Sequence, residues 1–156
     1  MAARPASGIE ARVSTEARDR IAKKLIAEYQ GLSWNYESQA GRKMQLLETL
    51  AATGSDLVVD LLLAEYDALS WNYESQAKRK QLCLDLLERM LTAAEKERRK
   101  PLTQSLKGSK APTKQALRRA GKQLEQLAEE APPAARKRLD GLVRRIAIIS
   151  NNGSAE

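Results

Sequence analysis

Apolar residues recur through the first two thirds of the chain at steps of three, four and seven, the spacing that keeps one face of a helix apolar. One stripe runs through Leu25, Tyr29, Leu32, Tyr36, Ala40, Leu47 and Leu50. A second runs through Leu62, Tyr66, Leu69, Tyr73, Ala77, Leu84, Leu87 and Leu91. This spacing predicts an all-α fold with two continuous helices, over residues 15–52 and 56–99. Between them Gly54 suits a left-handed C-terminal cap and Ser55 or Asp56 an N-cap, so the two helices are expected to fold into a long antiparallel hairpin. Tyr36 and Tyr73 would then belong to its core.

Residues 100–113, KPLTQSLKGSKAPT, combine two prolines, a glycine, small polar residues and lysines, the composition of a linker. Thr113 can cap a third helix that buries Leu117, Ala120, Leu124 and Leu127 and stops before Pro132-Pro133. A fourth follows, with Leu139, Leu142, Val143 and Ile146 on one face. Residues 114–149 are thus expected to form a C-terminal helical pair, with flexible ends at 1–14 and 150–156.

The two stripes belong to a duplication. Ala27 to Ala40 reads AEYQGLSWNYESQA and Ala64 to Ala77 reads AEYDALSWNYESQA, and the 37-residue register extends to repeats over about 21–50 and 58–87. The period is close to that of tetratricopeptide arrays, but their residue pattern is missing and two copies are few for a core buried by stacking. In the expected hairpin the copies would instead meet antiparallel about a local twofold axis. Arg42 and Arg79 would flank that axis, about 16 Å apart at the helical rise per residue. Trp34 and Trp71 point away from the Leu/Tyr stripe, which makes them candidate interface anchors together with Asn35, Glu37, Arg42, Asn72, Glu74 and Arg79.

Charge adds a second candidate site. Residues 1–95 carry a net −2, residues 96–122 a net +9 and residues 123–156 a net zero. Such a local excess suits an anionic partner, and phosphate contacts would fall to Lys96, Arg98, Arg99, Lys100, Lys107, Lys110, Lys114, Arg118, Arg119 and Lys122. Two readings follow. In one, an oligomeric helical protein binds RNA or DNA through the phosphate backbone. In the other, a protein-protein adaptor uses the Trp/Tyr patch, with the basic block as a nuclear or nucleolar localisation signal.

Other chemistry is poorly served. The chain has no histidine, and its single cysteine, Cys83, lies in the apolar run QLCLDLL, which favours the inert thiol. No glycine-rich phosphate loop, metal-ligand cluster or Ser/His/Asp set is present, so neither an enzyme nor a cofactor is expected. The absence of a leader-like apolar start and of any membrane-length apolar run suggests an intracellular protein, nuclear or cytoplasmic. Asn152-Gly153-Ser154 matches a glycosylation sequon that such a compartment would leave unused.

Overall fold

The computed structural model describes residues 8–99 and 110–154, with side chains over 15–98 and 110–151. All regular structure there is helical: α1 (Gly8–Gln30), α2 (Glu37–Thr53), α3 (Asp56–Ala68), α4 (Glu74–Arg99), α5 (Lys114–Glu129) and α6 (Pro133–Ser154). Each expected long helix is therefore two helices, broken at 31–36 and again at 69–73. The first begins at Gly8 rather than at residue 15, and α6 runs past Ile149 to Ser154.

The breaks come from side chains that satisfy the backbone groups a helix end leaves open. Ser33 Oγ accepts from Asn35 N at 3.0 Å, and Gln39 Oε1 reaches back to accept from Ser33 N at 2.8 Å. Ser70 and Gln76 repeat both bonds at 3.1 and 2.8 Å. Gly31 is not the cause, because the second copy has Ala68 at that position and breaks in the same way. Tyr36, at the N-cap of α2, is extended at φ −111° and ψ 126°.

The six helices form three hairpins, α1–α2, α3–α4 and α5–α6, stacked in order. α1, α3 and α5 pack in one row, and α2, α4 and α6 in the other. The duplicated units thus do stack, and α5–α6 supplies a third layer of unrelated sequence. One continuous core joins them, from Ala22 and Tyr29 through Leu62, Leu84 and Met90 to Leu124, Leu139 and Ile149. Ionic contacts reinforce the last joint, where Arg138 pairs with Asp85 and Glu88 while Arg145 binds Glu88, Thr92 and Glu95.

Gly54 caps α2 in the left-handed conformation at φ 72°, and Ser55 caps α3 by accepting from Leu57 N at 3.2 Å, so the turn lies where the sequence puts it. The end of the expected linker crosses this turn closely. A Cβ on Gly54 would lie 1.9 Å from the Lys110 carbonyl oxygen. Asp56 accepts from Thr113 N at 2.8 Å and Thr113 Oγ at 2.7 Å, and Arg18 donates to the Ala111 carbonyl at 2.8 Å. Thr113 also caps α5 through Ala116 N, as expected from the sequence. Residues 110–113 are thus a seated strap that fixes the third hairpin to the first two. The rest of the expected linker lies outside the described residues.

Candidate functional site

Each copy of the repeat builds one box around a buried ammonium. Tyr29 ends the buried stripe of α1, and the break then turns Trp34 back onto it, ring edge to ring face, with centroids 6.3 Å apart. Lys43, nearly two turns into α2, places Nζ 4.0 Å from the Tyr29 centroid and 5.4 Å from that of Trp34, and donates to the Leu32 carbonyl at 2.9 Å. Tyr66, Trp71 and Lys80 repeat the box at 5.9, 3.8 and 5.4 Å, with Lys80 donating to the Tyr66 carbonyl at 2.7 Å. Burial lowers the pKa of both lysines. An aromatic face and a carbonyl oxygen are the partners a buried cation requires in place of water.

One side chain of the second copy reaches over the box of the first. Arg79 lies with Cζ 4.6 Å above the Trp34 ring of the preceding unit and pairs with Glu65 at 3.8 Å. Its equivalent, Arg42, pairs with Glu28 at 2.6 Å and lies over no ring among the described residues. A twofold arrangement would have laid Arg42 on Trp71, so the expected dyad is replaced by directional stacking. Glu65 also raises the pKa of buried Tyr29, after desolvation, and burial pushes the Cys83 thiol up to about 12.

The interface residues read from the sequence divide by exposure. Trp34 and Trp71 are half-buried parts of the boxes. Asn35, Glu37, Asn72 and Glu74 are exposed at the hairpin tips, Arg42 is half exposed, and Arg79 is largely enclosed in the joint. Tyr36 and Tyr73, expected in the core, stand at the tips with 62% of their surface exposed. The stripe fails there because the break resets the helical phase. Lys43 and Lys80 were missed as site residues, although an apolar run with a lysine on its buried face, ten residues after a serine, is visible in both copies.

Within the repeat, most positions exposed in both copies have diverged: Lys23/Asp60, Gln30/Asp67, Gly31/Ala68, Gly41/Lys78, Met44/Gln81 and Glu48/Asp85. The exposed tips have not. Asn35, Tyr36, Glu37 and Ser38 recur as Asn72, Tyr73, Glu74 and Ser75, and both tyrosines are 62% exposed. Stacking places the two tips on the same edge of the molecule, one hairpin apart.

The basic candidates are only partly gathered. Arg98 donates to the Ile149 carbonyl and Arg118 to that of Ser150, both in the last turns of α6, where the helix dipole is negative. Arg119 pairs with Asp60 at 3.8 Å. Lys96, Lys110, Lys114 and Lys122 are exposed, and Lys114 shares a groove of about 190 Å³ with Arg98. The Arg99 side chain, Lys100 and Lys107 lie outside the described residues. Among the described residues there is no cluster of metal-ligating side chains, and no helix is long and apolar enough to cross a membrane. Protein-family models, curated proteins and solved structures were each compared with the chain, and none matches.

Proposed function

We propose that this protein is a non-enzymatic interaction scaffold that binds a protein partner across its two Asn-Tyr-Glu-Ser tips. The observation carrying this reading is the retention of four consecutive exposed residues in both copies, where among the other positions exposed in both only Ala27/Ala64 is unchanged, with a tyrosine projecting from each tip. Exposed tyrosine is an apt contact residue because it offers large area and a hydroxyl at small entropic cost. Two linked sites also raise the effective concentration of the second contact once the first has formed.

The test is affinity capture by the immobilised full chain from nuclease-treated extract, comparing wild type with Tyr36→Ala, Tyr73→Ala and the double variant. Each single change is expected to weaken capture and the double change to abolish it, with helicity unchanged. An identical captured set from the double variant would overturn the reading.

Phosphate-backbone binding is the second reading, favoured by the exposed Lys96, Lys110, Lys114 and Lys122. It ranks lower because Arg98, Arg118 and Arg119 already serve internal contacts. If it holds, changing the four lysines to Gln will flatten the salt dependence of RNA or DNA binding by up to about four counterions.

A further inference from the structure

The joint between the duplicated units defines a docking face. On α3, Val58, Leu62 and Glu65 share a stripe, and Glu65 acts electrostatically on Tyr29 of the preceding unit. On α4, Arg79 covers Trp34, Cys83 also acts on Tyr29, and Leu86 continues the same stripe. Val58, Leu62 and Leu86 are all 0% exposed.

The first unit carries the same face, and among the described residues no hairpin packs against it on that side. Ile21, equivalent to Val58, is 54% exposed, Leu25 is half-buried where Leu62 is fully covered, and Thr49 is exposed where Leu86 is not. Glu28 and Arg42 keep the pairing of Glu65 and Arg79 while retaining 45% and 50% side-chain exposure. An apolar centre bordered by adjacent opposite charges is self-complementary when rotated by a half turn.

We infer that the outer face of the α1–α2 hairpin binds a second copy of this chain, giving a closed twofold dimer. Among the described residues the equivalent acceptor faces are taken, which disfavours head-to-tail growth: Arg79 already lies on Trp34, and the α5–α6 hairpin covers the next unit. The face therefore meets itself, Ile21 and Leu25 packing across the axis while Arg42 of each chain opposes Glu28 of the other. An isologous contact of this kind closes without leaving a sticky end. The inference is independent of what binds the tips.

Sedimentation of the full chain over a concentration series tests it. Wild type is expected to dimerise, and Ile21→Glu to raise the dimer dissociation constant at least about tenfold by placing a charge at the centre of the contact. Arg42→Glu and Glu28→Arg should each weaken association alone, whereas an equimolar mixture should form a heterodimer because every cross-axis pair is then attractive. Tyr36→Ala with Tyr73→Ala should leave the mass unchanged. A wild type that stays monomeric at every concentration overturns the inference. So does a dimer indifferent to Ile21→Glu, or a charge-reversed mixture no more associated than its components.

Discussion

The first and second copies of the repeat share one motif and live in different surroundings. Their local geometry hardly differs: the lysine-to-tyrosine distance is 4.0 Å in one and 3.8 Å in the other, and the tip tyrosines have identical exposure. Their environments differ sharply, since copy two lies between two hairpins and copy one, among the described residues, has a neighbouring hairpin on one side only. The geometry of the motif is therefore set locally, whereas burial of its flanking residues is set by the stack. An exposed Ile21 and a buried Val58 occupy one repeat position.

The strongest way to break the relation between the copies is to disturb the turn joining them. Gly54→Ala should cost about 3 kcal/mol or more, because the new methyl both strains a positive φ and strikes the Lys110 carbonyl, so the strap must shift. Urea unfolding measures it, and a loss below about 1 kcal/mol would mean that the strap is not seated on the turn.

A sharper comparison removes equivalent side chains. Val58→Ala should cost about 2 kcal/mol, and Ile21→Ala at low protein concentration about 0.5 kcal/mol or less, although both stand at one repeat position. Equal costs would contradict the asymmetric stack. Smaller than the Val58 loss and alike in both copies, Ser33→Ala and Ser70→Ala should each cost about 1 kcal/mol, because each removes the same local acceptor.

The least effect at neutral pH belongs to the Cys83 thiol. Its folded pKa is raised from 9.0 to about 12, so below pH 9 its contribution is fully present. Between pH 9 and 12 the unfolded chain releases a proton that the folded chain keeps, and stability falls by up to about 1.4 kcal/mol per pH unit. Tyr29 and Tyr66, also raised, act in the same direction above their ordinary value, whereas the depressed Lys43 and Lys80 act in the opposite direction below theirs. Cys83→Ala should flatten the alkaline decline of the unfolding midpoint, and an unchanged slope would place the thiol in contact with water.

Much of the fold was written in local pattern. Gly54 and Ser55 announced their turn, Thr113 its cap, and Leu117, Leu124, Leu139 and Ile146 their buried faces. The breaks at Ser33 and Ser70 were hidden because Leu32 and Tyr36 happen to continue the helical spacing across them. The decisive bond joins Ser33 to Gln39, six residues away, outside the usual capping signature. Half of the tip motif could be chosen from sequence, since Asn35, Glu37, Asn72 and Glu74 stood off the stripe. Its tyrosines could not, because their exposure depends on a phase reset. The basic block was legible as charge alone. That Arg98 and Arg118 bind the end of α6 depends on a tertiary contact across 51 and 32 residues of chain.

The enclosed ammonium groups of Lys43 and Lys80 also make each unit a chemical clock. At 6% and 5% exposure they offer an acylating reagent almost no access, whereas Lys23, Lys24, Lys78 and Lys114 are exposed and should react first. An ammonium released by opening becomes an ordinary lysine, so its labelling rate reports how often its own box opens. Under limiting reagent and native conditions, peptide mass analysis should find Lys43 modified sooner than Lys80, because the first unit is held from one side and the second from both. The order in which two lysines acquire a label thus records the direction from which this stack of helices comes apart.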